Sequence, residues 1–210
     1  RFLNRTLSFD DDVAAALYSP NRLVPTYDKS RALSPDALRN NYDGQTPDPD
    51  YLSDWHLTVQ GLASGRAEHF SIGDIHKLIS RFAQHDQVTR LVCVEGWSAI
   101  AWWGGLRFAD FLQAFPPMPG AKWARLDSQY NLDSDGNPDP YYVSLDLPSA
   151  RHPQTLLATH QSDQPLTVDH GAPLRLIVPM KLGLKNIKAI SKITYSVDEP
   201  KDYWSSEGRG

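Results

Sequence analysis

Residues 91–98 read Leu-Val-Cys-Val-Glu-Gly-Trp-Ser, and they contain Cys93, the only cysteine in a chain of 210 residues. The β-branched residues over positions 88–94 predict a buried strand that stops at Glu95-Gly96. The residues alone leave two interpretations of the cysteine open. Cysteine is among the most frequently buried residue types, which favours a packing role. A thiolate at a strand end is also suited to act as a nucleophile or as a soft metal ligand.

The composition indicates one folded domain whose partner is a small molecule. Hydrophobic residues make up 40% of the chain, with six Trp, nine Tyr and seven Phe, which is not the composition of a disordered protein. The formal net charge is only -4, so we expect neither nucleic acid nor an anionic membrane surface as a partner. We also expect no membrane span, because the sequence has no apolar run of about 18 residues.

The hydrophobic pattern predicts an α+β fold with mixed, largely antiparallel sheets and short helices. Branched and aromatic residues predict strands over 55–59, 88–94, 122–126, 141–147, 155–158, 173–178 and 190–197. Helices are predicted over 11–17, 71–82 and 108–115, the second because Ser71 and Asp74 can satisfy free amides of a first helical turn. Few connections after residue 90 are long enough for crossover helices, which favours antiparallel pairing. The chain then divides into an N-terminal arm over 1–50, a body over 51–200 and a tail over 201–210.

Common catalytic signatures are missing from this pattern. The sequence has no Gly-x-Ser-x-Gly elbow, no Gly-x-x-x-x-Gly-Lys-Ser/Thr loop, no Gly-x-Gly-x-x-Gly turn and no His-Glu-x-x-His helix. Its seven histidines are spread singly, so an ordinary zinc site is not expected.

A second group of chemically capable residues lies between positions 170 and 188. Arg175 can direct two donors at a phosphate, and the lysines of 181–188 can add positive charge. The alternative is a solvated helix face, since lysines at 181, 185, 188 and 192 also fit helical spacing. Gly183 argues against a long helix. Spacing alone leaves the two interpretations even.

Four stretches, taken in order, resemble the molybdopterin-binding domain of the sulfite oxidase family. They are Cys93 to Ser98 with 105–112, then His-Pro-Gln-Thr-Leu-Leu-Ala at 152–158, Gly-Ala-Pro-Leu-Arg-Leu at 171–176, and Lys-Leu-Gly-Leu-Lys-Asn-Ile-Lys at 181–188. Within the family the stretches are most similar to the bacterial branch of periplasmic methionine sulfoxide reductases. The resemblance covers roughly residues 40–200 and implies that 51–200 is a molybdopterin-binding oxidoreductase domain.

The resemblance also implies a set of site residues. Cys93 takes the place of the thiolate that ligates molybdenum, and Tyr141 that of a phenol which donates a proton or hydrogen bond to a substrate oxygen. Arg175 and Lys188 look like phosphate ligands of the pyranopterin dithiolene cofactor. The full set of positions implied to contact that cofactor is Asn40, Asn41, Tyr42, Cys93, Ser128, His170, Arg175, Lys185, Asn186 and Lys188.

The implied activity is oxygen-atom transfer by a molybdenum-molybdopterin oxidoreductase. Reduction of an S-oxide or N-oxide is the leading expectation, because basic residues for an anion are sparse near Tyr141; oxidation of a sulfite-type oxyanion is the alternative. A third interpretation is a cofactor-free binding protein in which Cys93 belongs to the core. No haem motif is present, so electrons are expected from a separate cytochrome or membrane haem partner. The resemblance further implies export of the folded protein to the bacterial periplasm. Residues 131–140 look like an inserted acidic loop.

Overall fold

The computed structural model describes residues 22–40, 48–131 and 139–206 of the chain. Within these ranges the strands are β1 (Leu57–Gln60), β2 (Glu68–Phe70), β3 (His85–Val92), β4 (Ser98–Arg107), β5 (Trp123–Asn131), β6 (Pro140–Asp146), β7 (Leu156–Gln161), β8 (Gln164–Pro165), β9 (Arg175–Ile177) and β10 (Ile190–Ser196). The α-helices are α1 (Tyr51–Asp54), α2 (Ile72–Phe82), α3 (Phe108–Ala114), α4 (Leu147–Ala150) and α5 (Tyr203–Ser206). Short 3-10 helices span Lys29–Arg31, Pro35–Ala37, Val168–His170 and Gly183–Lys185.

The strands form two sheets. The first has the order β2-β1-β10-β5-β6, and the second has the order β3-β4-β7-β8 with β9 also paired to β7. β1 and β10 run parallel, whereas the other pairings between described strands are antiparallel. The predicted α+β fold with largely antiparallel sheets is confirmed. None of the described helices has the length and hydropathy that crossing a membrane would need.

The main hydrophobic core joins the two sheets through α2 and α3. Its members alternate along the strands and recur on one face of each helix, as expected for elements that bury a single side. Residues that contribute to it include Leu57, Val59, Ile75, Ile79, Phe108, Phe111, Leu126, Leu145, Leu157 and Ile193. A second, smaller cluster covers the other side of β4 and β7 and takes in Leu38 of the arm. The arm therefore packs on the second sheet.

The arm is held in place by polar side chains from residues 152–154. The side-chain amide of Gln154 accepts a hydrogen bond from the Val24 amide at 2.8 Å and donates to the Val24 carbonyl at 3.1 Å. His152 is buried, and its Nε2 lies 3.3 Å from the Arg22 carbonyl. Part of the 152–158 stretch thus serves to anchor the arm.

Helix α2 begins as the sequence predicts. The Ser71 hydroxyl accepts a hydrogen bond from the Asp74 amide at 3.2 Å, and the Asp74 carboxylate accepts one from the Ser71 amide at 3.1 Å. This reciprocal pair is a capping box, which satisfies two backbone amides that a helix start otherwise leaves to water.

Replacing Ser71 with Ala is expected to lower the free energy of unfolding by about 1 kcal/mol, because the N-cap acceptor is lost. Urea unfolding followed by circular dichroism measures the change. Ser80→Ala is the matched control, since the Ser80 hydroxyl donates to the His76 carbonyl inside the same helix and caps nothing. Equal losses in the two variants would contradict the assignment.

Strand β4 is not predicted by the sequence pattern, because Gly104 and Gly105 look like an interruption. A Cβ atom on Gly105 would lie only 2.3 Å from the Leu157 carbonyl oxygen. The register between β4 and β7 shifts at these two glycines. Glycine is needed here for the close approach of two backbones, so it continues the sheet instead of ending it.

The prediction of a buried strand around Cys93 is wrong. β3 ends at Val92, which pairs with Ser98, so the cysteine lies in the turn that joins β3 to β4. Val92 and Val94 are 40% and 59% exposed. The reason is that this turn projects past Val92 and Ser98, the last paired residues, where none of the described strands covers it. The predicted helix over 11–17 and most of the proposed acidic loop, residues 132–138, lie outside the described residues.

Candidate active site

Cys93 occupies a tight, partly exposed turn. Its amide donates to the Trp97 carbonyl at 2.9 Å, and its carbonyl accepts from the Gly96 amide at 3.2 Å. Gly96 has a φ of 85°, which glycine adopts without strain. Cys93 as a residue is of intermediate burial. This location favours the ligand or nucleophile interpretation of Cys93 over a packing role.

Glu95 is a site residue that sequence reasoning missed. Its Oε2 accepts a hydrogen bond from the Trp97 indole N–H at 3.0 Å and lies 3.9 Å from the Cys93 sulfur. The Arg39 guanidinium pairs with the same carboxylate oxygen at 3.6 Å. An acid two residues after a cysteine in a Gly-containing turn was the signal available in the sequence. The pairing places arm residue Arg39 beside the cysteine turn.

The basic segment 181–188 packs directly against this turn. A Cβ atom on Gly183 would lie 3.5 Å from the Cys93 Cα and 3.3 Å from the Val92 carbonyl oxygen. The segment contains a short 3-10 helix, Gly183–Lys185, and leads into β10. The helix-face interpretation of the lysines is therefore wrong, because the single 3-10 turn is followed by irregular backbone with bends up to the start of β10.

Tyr141 borders the same segment from the first sheet. Its hydroxyl donates to the Leu184 carbonyl at 2.8 Å. Leu184 follows Gly183, so the Tyr141 ring and the Cys93 turn contact adjacent residues of one short helix. The two residues that the resemblance implies for catalysis thus border neighbouring residues of the same segment.

The far end of segment 181–188 carries the candidate phosphate ligands. Gly171 has a φ of 94°, and a Cβ atom on it would lie 2.7 Å from the Lys188 Cβ. The Lys188 ammonium donates to the Asp169 carbonyl at 2.8 Å. Residues 169–171 and Lys188 therefore fit together only because position 171 has no side chain.

Arg175 ties the two loops of this end together. Its guanidinium donates to the His170 carbonyl at 2.9 Å and to the Asn186 carbonyl at 3.1 Å, and it lies 4.5 Å from the centre of the Trp103 ring. Arg175 is buried. A planar cation with several donors is suited to hold two carbonyls and an aromatic face at once.

His170 is held against the arm. Its Nε2 lies 2.8 Å from the Pro35 carbonyl, which can only accept, so this nitrogen carries the proton. Burial lowers the pKa of His170 first of all, the Pro35 contact opposes that effect, and Arg175 and Lys188 lower it further. The ring is therefore neutral near pH 7.

Ser128 and Asn186 shape the segment from inside. The Ser128 hydroxyl donates to the Lys188 carbonyl at 2.7 Å. The Asn186 side chain accepts from the Val178 amide at 2.8 Å and donates to the Leu182 carbonyl at 3.1 Å. Both side chains fix the backbone of segment 181–188, and their contact with a cofactor stays a prediction.

Lys185 and the three arm residues have different surroundings. The Lys185 ammonium forms an ion pair with Asp202 and donates to the Ser144 carbonyl at 2.9 Å. Asn40 carries a buried Oδ1 atom that has no hydrogen-bond partner within the described part of the chain. Asn41 and Tyr42 lie outside the described residues. Cofactor binding by these four residues stays a prediction.

Among the candidate site residues, Lys188 has the pKa that departs furthest from its ordinary value. Burial, and secondarily the Arg175 cation, lower the pKa of Lys188 to about 7, although Asp169 opposes the shift. The ordinary pKa of a lysine in an unfolded chain is about 10.4. The unfolded state therefore binds more protons than the folded state between about pH 7 and pH 10.

The protein is accordingly expected to gain stability relative to Lys188→Met as the pH rises from about 7 towards 10. Below about pH 7 both states bind the proton and the difference between the two proteins levels off. Urea unfolding at a series of pH values measures it. Lys181→Met serves as control, since Lys181 is a partly exposed lysine of the same segment, paired with Asp146 at 3.6 Å. A pH-independent difference for Lys188→Met would contradict the shifted pKa.

Comparisons with known proteins agree with this arrangement. Residues 43–204 match the family described as the oxidoreductase molybdopterin binding domain. The chain is 36% identical over 201 residues to the putative protein-methionine-sulfoxide reductase subunit YedZ1 of Azospira oryzae, which covers 95% of this chain and 71% of that protein. It is 34% identical over 161 residues to the protein-methionine-sulfoxide reductase catalytic subunit MsrP of Xanthomonas campestris pv. campestris, which covers 73% of this chain and 48% of that protein. The chain thus spans about half the length of this MsrP relative.

A solved structure has the same fold. The sulfane dehydrogenase SoxCD from Paracoccus pantotrophus superposes with a TM-score of 0.61 at 16% sequence identity, over 73% of this chain and 41% of that chain. At that identity the likeness concerns the fold alone. The family match covers both sheets and every element that carries Cys93, Tyr141, Arg175 and Lys188. The chain therefore belongs to the family of oxidoreductases with a molybdopterin-binding domain.

Proposed function

We propose that this chain reduces an S-oxide, such as methionine sulfoxide, at a molybdenum-molybdopterin centre ligated by Cys93. The observation that carries the proposal is that the Cys93 turn packs against Gly183 while the Tyr141 hydroxyl donates to the carbonyl of the next residue, Leu184. The names of the two curated relatives support the S-oxide, since both are methionine sulfoxide reductase subunits.

The residues present suit this cofactor. Cys93 offers a soft, partly exposed sulfur, the kind of donor that molybdenum accepts. The buried Asn40 Oδ1 needs a donor, which a pterin N–H can supply, because buried acceptors in native proteins are almost always satisfied. At the other end Arg175 and Lys188 form a cationic pair for a phosphate, and an anion there would stabilise the charged form of Lys188. When bound, the cofactor supplies the two-electron chemistry of oxygen-atom transfer.

The chain's own residues then hold and orient the reactants. Tyr141 places its phenol at the Gly183–Lys185 turn, and its O–H would turn from the Leu184 carbonyl to donate to the oxygen of the substrate. Glu95 holds the turn through Trp97 and places a carboxylate beside the sulfur. Both residues are partly exposed or at the surface, so a substrate can reach them.

The ion pairs of the arm, β5 and segment 181–188 favour a neutral substrate over an oxyanion. Four cations on the arm, on β5 and in segment 181–188 have a carboxylate partner, which reduces the positive charge that could attract sulfite. The pairs are Arg39 with Glu95, Arg125 with Asp127, Lys181 with Asp146 and Lys185 with Asp202. A sulfoxide carries no net charge and needs only hydrogen-bond donors at its oxygen.

The proposal includes a separate electron donor, a cytochrome or a membrane haem protein, and a periplasmic location. The curated relatives are named as subunits, which supports a partner. The location rests on the resemblance to periplasmic reductases.

The test is a paired measurement on protein produced with molybdate. We expect about one molybdenum per chain by elemental analysis, pterin fluorescence after acid oxidation, and dye-coupled reduction of methionine sulfoxide. Less than about a tenth of an equivalent of molybdenum would contradict the cofactor assignment. Turnover of sulfite but not of sulfoxides or N-oxides would instead support the oxyanion alternative.

A further inference from the structure

The C-terminal segment 198–206 contacts β6 through polar side chains. Asp202, Ser144 and Lys185 form one hydrogen-bonded group there, which we call the clasp. The Asp202 carboxylate accepts hydrogen bonds from the Ser144 amide and, at 3.1 Å, from the Ser144 hydroxyl. The same carboxylate forms the ion pair with Lys185, and the Lys185 ammonium also donates to the Ser144 carbonyl at 2.9 Å. Three elements far apart in sequence therefore meet at Asp202, whose side chain is only about a quarter exposed (24%).

The clasp acts on the residues next to Cys93. Lys185 is the last residue of the short helix Gly183–Lys185, whose first residue would place a Cβ atom 3.5 Å from the Cys93 Cα. Only one residue separates Lys185 from Gly183, so an anchored Lys185 side chain restrains the backbone at Gly183. The position of the Cys93 turn is thus tied to an ion pair on the opposite side of segment 181–188.

The same C-terminal segment also contacts the candidate catalytic phenol. The Tyr203 ring lies 5.5 Å from the Tyr141 ring and 5.7 Å from the Tyr142 ring, measured between centroids. The Tyr203 hydroxyl donates to the Asp139 carboxylate at the start of β6. The tail thus contacts Lys185 through Asp202 and Tyr141 through Tyr203.

We propose that Asp202 is a positioning residue of the active site. Through Lys185 it holds the Gly183–Lys185 turn against Cys93, and through the adjoining Tyr203 it supports Tyr141. The role gives Lys185 a function other than phosphate binding, since its charge is neutralised by Asp202. The effect on the Cys93 turn does not depend on a bound metal, whereas its consequence for turnover rests on the proposed function.

Alkylation of the single cysteine tests the clasp without any assay of turnover. The 210-residue chain, purified free of cofactor, is treated with iodoacetamide, and the modified fraction is followed by mass spectrometry. Asp202→Asn and Lys185→Gln are expected to raise the alkylation rate of Cys93 about tenfold, because release of the turn opens the sulfur more often. Asp198→Asn is the matched control, an exposed acid in the same segment, and it should leave the rate unchanged.

A double variant tests whether Asp202 and Lys185 affect the alkylation of Cys93 through one shared interaction or independently. If Asp202 acts through Lys185, the Asp202→Asn, Lys185→Gln protein should alkylate no faster than either single variant. The proposal would be overturned if both single variants were alkylated at rates within about twofold of the unaltered protein. It would also be overturned if the effects of the two substitutions multiplied in the double variant. A melting temperature for each protein shows whether faster alkylation reflects global unfolding, which would equally count against the clasp.

Protein produced with molybdate shows whether the inference about Asp202 or the proposed function is at fault. If molybdenum is bound, Asp202→Asn should shift the Mo(V) electron paramagnetic resonance signal, and an unshifted signal counts against positioning. If no molybdenum is bound, the proposed function fails, but the alkylation result still decides the role of Asp202.

Discussion

Replacing Cys93 with Ser is expected to abolish sulfoxide reduction, with a loss of at least about a thousandfold in turnover, while the fold stays intact. A serine hydroxyl is a hard, weakly acidic donor that replaces a thiolate poorly at a soft metal site. The fold should survive because the turn is held by the backbone bonds of Cys93 and Gly96, which serine leaves unchanged. Dye-coupled kinetics and circular dichroism measure the two properties.

The matched control for this experiment is Val94→Ala. Val94 lies in the same turn with a side chain 59% exposed, so its loss tests whether any change in the turn reduces activity. We expect turnover of this variant within about twofold of the unaltered protein, in line with other exposed positions. Unchanged turnover of Cys93→Ser would remove the ligand assignment.

Replacing Arg175 with Met is expected to lower the free energy of unfolding by about 3 kcal/mol, because two buried carbonyls lose a charged donor at once. These carbonyls belong to His170 and Asn186, one from each loop of the phosphate end. Met fills a similar volume beside Trp103, so lost hydrogen bonds and not a cavity should dominate the change. Urea unfolding of cofactor-free protein gives the value, and the molybdenum content of loaded protein should fall as well.

Arg125→Met provides the comparison for Arg175. The Arg125 guanidinium also lies over an aromatic ring and pairs with Asp127, but its side chain is 36% exposed. We expect a loss of about 1 kcal/mol or less, as for exposed ion pairs. A loss for Arg175→Met no larger than that for Arg125→Met would mean that Arg175 does not hold the loops together.

Several features of the site could be predicted because they depend on short stretches of sequence. The capping box of α2 needs only Ser71 and Asp74, three residues apart. Gly183 argued against a long helix in the lysine segment, although spacing alone left the loop and the helix face even. The ordered stretches from 93 to 188 indicated the family that the comparisons confirm. Local hydrogen bonding and residue order are both present in the chain itself.

Other features could not be predicted because they depend on residues far apart in sequence. Strand β4 crosses a pair of glycines, and the need for glycine there comes from the Leu157 carbonyl of β7. Glu95 became a site residue only through Arg39 of the arm and its distance to the Cys93 sulfur. The pairing of Lys185 with Asp202 involves the tail, which no local pattern connects to segment 181–188.

The sequence by itself determined the single soft sulfur and predicted the α+β class, and its resemblance to the family implied the two candidate end groups, Cys93 and the Arg175–Lys188 pair. Only the tertiary structure decided that Cys93 lies in an exposed turn and not on a buried strand, because burial depends on what other elements cover. It also decided the surroundings of each lysine, since Lys185 forms an ion pair with Asp202 whereas Lys188 is packed near a second cation, Arg175, and has a lowered pKa. Charge and solvent access are properties of neighbours in space, which the order of residues along the chain does not contain.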